Sequence, residues 1–247
     1  MEVHAHTHTA RKKWTHYFWE FLMLFLAVFC GFLAEYKLEQ TIERHREKEY
    51  MISLVRDLTN DIRGVNTAIS AKSERIGMAD SIFTIFGEKN IPNHTADLYF
   101  FGRSLGFRTY FYPNDGTTGQ LQNAGGFRLI KKNNVVDSIQ GYINLLRDEL
   151  RLQELEESQT IDYRRSMSRV FDALVFNKMY TSKEDLTITK LDFNPPLVSY
   201  DNLDLNDLNM KILVTKGNRL SQIKALNELL VSADALIQLI KKEYHLK

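Results

Sequence analysis

From Met51 onward the apolar residues fall in rows rather than in runs. Val55, Ile62, Ile69, Ile76 and Phe83 recur every seven residues, and Met51, Leu58, Val65, Ala79 and Phe86 form a second row that Lys72 interrupts. A stripe of this kind belongs to a helix that buries one face against other helices. Gly87 and Pro92 punctuate its end. A shorter, aromatic-rich element is expected from Thr95 to Phe107, followed by an irregular stretch from Arg108 to Gly126. Within that stretch Pro113-Asn-Asp-Gly116 is a turn signal, and Thr117 or Thr118 is placed to cap a short helix ending at Gly125-Gly126.

A second long helix is predicted from Asn134 to Asn177. Its stripe runs through Val136, Ile139, Ile143, Leu146 and Leu150 and resumes at Met167, Val170, Phe171 and Leu174. Between Gln153 and Ile161 it weakens into Glu-rich polar sequence, which opens the helix to a break there. Lys178 to Tyr200 reads as a long connection, because Pro195-Pro196 forbids helix. Thr187 to Phe193 alternates like a strand but has no identifiable partner. The last helix, from about Asn206 to Tyr244, carries Leu220, Ile223, Leu226, Leu230, Ala233, Ile237, Ile240 and Tyr244 at three-four spacing. Three long amphipathic helices and a few short ones predict an all-α fold, an elongated antiparallel helical bundle.

Ahead of this domain the pattern changes. Phe21 to Ala34 is 14 residues without a charge, short for a span that needs roughly 20 residues. Trp14, Tyr17, Phe18 and Trp19 extend it as an interfacial aromatic belt, with Glu20 at headgroup level and His16 one turn back as its partner. The expected organisation is a His-rich basic tail at 1–13, a transmembrane helix at 14–35, a charged helical neck at 36–50 and a soluble helical-bundle domain at 51–247. Arg11-Lys12-Lys13 before the apolar run fits a signal sequence, but no small-x-small cleavage site follows, so the segment is expected to be retained. The basic cluster favours the N-terminus inside and the domain outside, in the periplasm of a bacterial inner membrane.

Composition narrows the function classes. The 32 basic and 31 acidic residues nearly cancel, which argues against a nucleic-acid partner. Cys30 is the only cysteine, so an intrachain disulfide and any multi-cysteine metal site are excluded.

Lys12-Lys-Trp-Thr-His-Tyr-Phe-Trp-Glu-Phe-Leu-Met-Leu-Phe-Leu-Ala-Val-Phe-Cys-Gly-Phe-Leu-Ala-Glu35 resembles the N-terminus of a family of uncharacterised Gram-negative single-pass membrane proteins. Gln120-Leu-Gln-Asn-Ala-Gly-Gly-Phe-Arg-Leu-Ile130 is similar to a motif of related single-span families, in which a short helix ends in glycine before Arg-Leu-Ile and a long helix. The resemblance implies an anchored helical domain and brings no activity with it.

Four groups of residues are candidate sites. Glu20, Ala27 and Ala34 share a heptad row with Gly31 beside it, so Ala27 and Gly31 form a small-xxx-small pair suited to a helix–helix interface; the alternative is a Glu20 that snorkels to water. His4, His6 and His8 alternate along the tail as imidazole ligands for a metal, or as a solvated tail. Gly125, Gly126 and Arg128 are a possible ligand or anion region, against the plainer use as a helix C-cap and tight turn. The aromatic set Tyr99, Phe100, Phe101, Phe107, Tyr110, Phe111 and Tyr112 lines a pocket or closes the end of a bundle. No nucleophile elbow, HExxH, Walker loop or dinucleotide fingerprint is present, and no cofactor is implied.

The sequence therefore predicts a membrane-anchored, non-enzymatic interaction, scaffold or sensor-type module that self-associates or binds another envelope protein. A small-ligand or metal-binding protein using the Tyr99–Arg128 region or the histidines is the alternative. A filled core with an exposed apolar stripe favours the first, and a pocket beside Arg108 to Arg128 with paired ionisable groups favours the second.

Overall fold

The computed structural model describes residues 14–88, 90–123, 125–181 and 187–246. The fold is all-α, with six α-helices and no strand among these residues. They are α1 (Trp14–Gly87), α2 (Thr95–Leu105), α3 (Gly116–Asn123), α4 (Asn133–Val170), α5 (Ala173–Lys178) and α6 (Asn202–Tyr244). The chain divides into two units, Met1–Tyr50 and Met51–Lys247.

In the first unit, α1 contains an 18-residue window of mean hydropathy 2.0 in which no residue is buried, long and apolar enough to cross a membrane. Its large apolar side chains are exposed apart from the half-buried Leu22, and Phe21, Phe25 and Phe29 stack along one edge with centroids 6.3 and 5.9 Å apart. A helix that is apolar on every face has no use for that surface in water.

The second unit is a bundle whose core is made by α1 from Met51 onward, α4 and α6. Each buries a three-four register, unbroken in α4 and α6 and with one step of seven in α1, between Lys72 and Ala79. In α1 it runs Met51, Leu54, Leu58, Asp61, Val65, Ala68, Lys72, Ala79, Ile82. In α4 it runs from Val135 through Ile139, Tyr142, Leu146, Glu149, Gln153, Glu156, Thr160, Tyr163 and Met167 to Val170. In α6 it runs from Leu205 through Leu208, Ile212, Thr215, Arg219, Gln222, Leu226, Leu229, Ala233 and Leu236 to Ile240. A buried spacing of three and four on all three helices is coiled-coil packing.

Cross-helix contacts fix the directions. Tyr142 bonds Asp61 and Lys72 bonds Glu156, so α1 and α4 run the same way. Arg219 bonds Glu156, Ser166 bonds Asp207, and Lys132 pairs with Glu243, so α6 runs antiparallel to α4. Parallel neighbours need a long return. It is made by α2 and the extended segment 107–115, which descends along α1 from Thr109, opposite Lys72, to Asn114, opposite Asp61.

Several boundaries differ from expectation for physical reasons. α4 is continuous through Gln153–Ile161, because the polar residues that dilute its stripe are themselves the buried face. It ends at Val170, where Phe171 turns extended and Asp172 caps α5 through the Leu174 amide at 2.8 Å. α3 begins at Gly116, ahead of both threonines; the Thr117 amide and hydroxyl donate to Asp57 of α1 at 3.3 and 2.5 Å, so a tertiary contact anchors that end. Leu220 and Ile223 do not enter the core; Arg219 and Gln222 do. The alternating stretch near Thr187 contributes one isolated bridge, Tyr180 to Ile188.

Candidate functional site

Lys72 interrupts its apolar row without leaving the core. It is 1% exposed, and its ammonium donates to Glu156 Oε2 at 3.0 Å and to the Thr109 carbonyl at 3.3 Å. Arg219, equally buried, donates from Nε to Glu156 Oε1 at 2.8 Å and from a terminal nitrogen to the Leu105 carbonyl at 3.0 Å. Gln222 adds a third donor to Glu156, at 2.9 Å. Burial alone raises a carboxyl pKa, but the two cations and the hydrogen bonds from Arg219 and Gln222 outweigh it and hold Glu156 below its ordinary value. The cluster thus joins α1, α4, α6 and the returning segment through one carboxylate.

Glu149, two turns earlier on the same buried register, behaves differently. It is 0% exposed, and neither carboxyl oxygen has a hydrogen-bond partner among the described residues. Burial pushes its pKa up to about 8, opposed by Lys72 and reinforced by Glu156. At neutral pH it sits in the core as the neutral acid beside a cation already committed to Glu156.

The same polar waist fastens the return segment residue by residue. The Gln153 carboxamide accepts from the Phe111 amide at 2.7 Å and donates to the Phe111 carbonyl at 3.1 Å, satisfying both backbone groups. Asp61 Oδ1 accepts from the Asn114 amide at 2.7 Å and side chain at 2.9 Å, while its Oδ2 accepts from Tyr142 at 2.7 Å. An extended segment without ladder partners leaves buried amides and carbonyls to be satisfied; here side chains from the helices do it.

Held this way, the segment forms one wall of a cleft of about 350 Å³ against α4. The lining is Arg108, Tyr110, Phe111, Tyr112, Leu150, Gln153, Glu154 and Glu157. Arg108 lies 5.2 Å over the Tyr110 ring and pairs with Glu157 at 2.8 Å. The adjoining Glu157 carboxylate raises the Arg108 pKa against some desolvation. The aromatic set expected to line one pocket is therefore divided. Tyr99 is core, edge-on to Phe171 and Phe176 at 5.0 and 5.2 Å. Phe107 lies under Arg103 at 4.6 Å, and only Tyr110, Phe111 and Tyr112 reach the cleft.

The other candidate residues are scattered. Glu20 is 3.0 Å from His16 Nε2, the partner expected one turn back. Ala27, Gly31 and Ala34 are exposed on α1, and a Cβ at Gly31 meets nothing within 4 Å. His4, His6 and His8 lie outside the described residues. Gly125 has φ +67°, the left-handed conformation glycine tolerates, and a Cβ on Gly126 would stand 2.9 Å from the Leu121 Cα. Both glycines are thus accounted for by the tight turn after α3. The amides of Arg128 and Ile130 bond Gly125 and Phe127 within the turn, while the Arg128 side chain is exposed.

Lys72, Glu149, Gln153, Glu156, Arg219 and Gln222 were not among the sequence candidates. The signal that finds them is the register itself: carried straight through the polar stretch, the three-four spacing lands on each of them. Comparison with protein-family models, curated proteins and solved structures returns no match.

Proposed function

We propose that the chain is a membrane-anchored, non-enzymatic interaction module, held in the bacterial inner membrane by the apolar part of α1 with its bundle in the periplasm, and acting through contacts with another protein. One observation carries this reading. α6 has a second three-four row on the face opposite its buried one: Leu203, Met210, Leu213, Gly217, Leu220, Lys224, Asn227 and Val231. Leu203 is 80% and Val231 72% exposed, and Met210, Leu213 and Leu220 are each about half exposed. A helix already supplying a full seam to its own core gains nothing from a second row unless something packs on it.

The charged interior supports the same reading. Lys72, Glu156 and Arg219 are consumed by one another and by backbone carbonyls, which suits a rigid scaffold. The small-ligand alternative has its own observation, the cleft that holds Arg108 and Glu157.

The test is photocrosslinking in intact cells from probes at Leu213 and Val231, with probes at exposed Arg147 and Asn144 of α4 as controls. A discrete protein adduct from the α6 probes, lost on Leu220→Glu, is expected. Adducts equally frequent from the α4 probes, or none from α6, overturn the proposal. Labelling of a cysteine introduced at exposed Asp234, in the Cys30→Ser background, checks the side of the membrane independently.

A further inference from the structure

We infer that the cleft between the return segment and α4 is a binding site for an organic cation, an ammonium or guanidinium group carried on a small molecule or a side chain. This stands apart from the α6 face and does not depend on it.

The cleft's chemistry is that of a cation site, and part of it is already occupied by one. The Arg108 guanidinium lies over Tyr110 and against Glu157, a cation on the negative face of a ring with a carboxylate behind it. Beside this pair a second aromatic ring and a second carboxylate line the same cleft. Tyr112 is edge-on to Tyr110 with centroids 5.9 Å apart and is 76% exposed. Glu154 lies three residues before Glu157 on α4, lines the same cleft, and makes no ion pair among the described residues. Across the lining, one arginine faces two glutamates, so the formal charge is −1 before any ligand enters.

The site is also built rather than incidental. Its floor is Phe111, 2% exposed, whose amide and carbonyl are both locked by the buried Gln153 carboxamide. The residues on either side, Tyr110 and Tyr112, inherit that fixed backbone, so the two rings are presented in place. A wall whose backbone is already fixed loses less entropy on binding than one carried on a free loop. A neutral or anionic ligand gains no such match, since Arg108 is already neutralised by Glu157.

The test is calorimetry on the full chain in dodecyl maltoside, a detergent without an ammonium headgroup. Benzylamine and benzyltrimethylammonium are compared with benzyl alcohol and benzoate, and with an amidated Gly-Arg-Gly peptide. Both amines are expected to bind at least about tenfold more tightly than the alcohol or benzoate. Tyr112→Ala and Glu154→Gln should each weaken the amines about fivefold or more while leaving the thermal unfolding midpoint in place, as both side chains are exposed. A peptide tighter than the amines assigns the cation to a protein side chain, and the reverse assigns it to a free small molecule. Equal affinity for benzyl alcohol, preference for benzoate, or amine binding indifferent to both substitutions overturns the inference.

Discussion

The two ends of the bundle and its middle bury equivalent positions of the same three helices, yet with opposite chemistry. Toward one end the register delivers Met51, Leu54, Leu58, Ile139, Leu229 and Ala233; toward the other it delivers Ile82, Met167, Val170, Leu208 and Ile212. Between them lie Lys72, Glu149, Gln153, Glu156, Thr160, Arg219 and Gln222. Apolar layers are held by area removed from water and are indifferent to direction. In the polar layer Lys72, Arg219 and Gln222 are held by directed bonds to one carboxylate and Gln153 by bonds to the Phe111 backbone, so the layer tolerates one alignment of the helices and one path of the return segment. Two ends that glue and a middle that aligns is how a bundle with a parallel pair and a long crossover holds a single register.

Removing the centre of the polar layer should have the largest effect. Glu156→Gln preserves the shape but leaves Lys72 and Arg219 buried without a counter-charge. Urea unfolding of the full chain in micelles, followed by circular dichroism, should show a loss of about 3–5 kcal/mol. Replacing the set together, Lys72→Met with Glu156→Leu and Arg219→Met, should cost far less or even stabilise, while the Thr109 and Leu105 carbonyls lose their donors and the return segment loosens. A triple variant as unstable as Glu156→Gln alone would mean that the charges do more than compensate one another.

The next effect separates the two buried acids by pH. Glu149 has its pKa raised from 4.5 to about 8 by burial, with Lys72 opposing and Glu156 adding to the shift. Below about 4.5 both folded and unfolded chains hold this proton. Between about 4.5 and 8 only the unfolded chain releases it, so stability falls by about 1.4 kcal/mol per pH unit and levels off above the folded value. Glu156, held below its ordinary pKa, works the other way: its contribution is present above the unfolded value and lost as pH falls through the folded one. Glu149→Gln should therefore gain stability over the parent on the order of 3 kcal/mol between pH 5 and pH 8. A parent and variant with parallel pH profiles would show that Glu149 is compensated.

This contrast also explains what the sequence reveals. Where the layer is apolar, periodicity finds the helix, its face and nearly its ends, as with Ile139–Leu146 and Leu226–Ile240. Where the layer is polar, hydrophobicity points outward: it reads Lys72 as an interruption, Gln153–Ile161 as a weakened stretch open to a break, and Leu220 as core. The helices were legible because spacing survives a change of chemistry; the polar site was not, because glutamate and arginine on a helix are ordinarily solvated. The cleft was half legible. Tyr110, Phe111 and Tyr112 stood out as aromatics, but what makes them a wall is Gln153, 42 residues away in sequence, and no local pattern announces that pairing. In the span, the His16–Glu20 pair was legible because it is one helical turn.

The smallest effect probes whether the apolar end is glued by area alone or also fitted by shape. Gly102 in α2 faces Phe171, and a Cβ there would stand 2.9 Å from the ring Cζ. That ring is hemmed in by Tyr99 and Phe176, and Tyr163 donates to the Gly102 carbonyl at 2.6 Å, so neither partner has room to retreat. Gly102→Ala should cost about 1–3 kcal/mol in overpacking, offset by about 1 kcal/mol of helix propensity gained over glycine. A net loss of about 1–2 kcal/mol is expected, with most of it recovered by adding Phe171→Leu, which shortens the clashing side chain. An alanine that stabilises on its own would mean that this end adapts to what is placed in it. Alignment would then rest on the polar layer alone, and Glu156→Gln should broaden the unfolding transition as well as lower it.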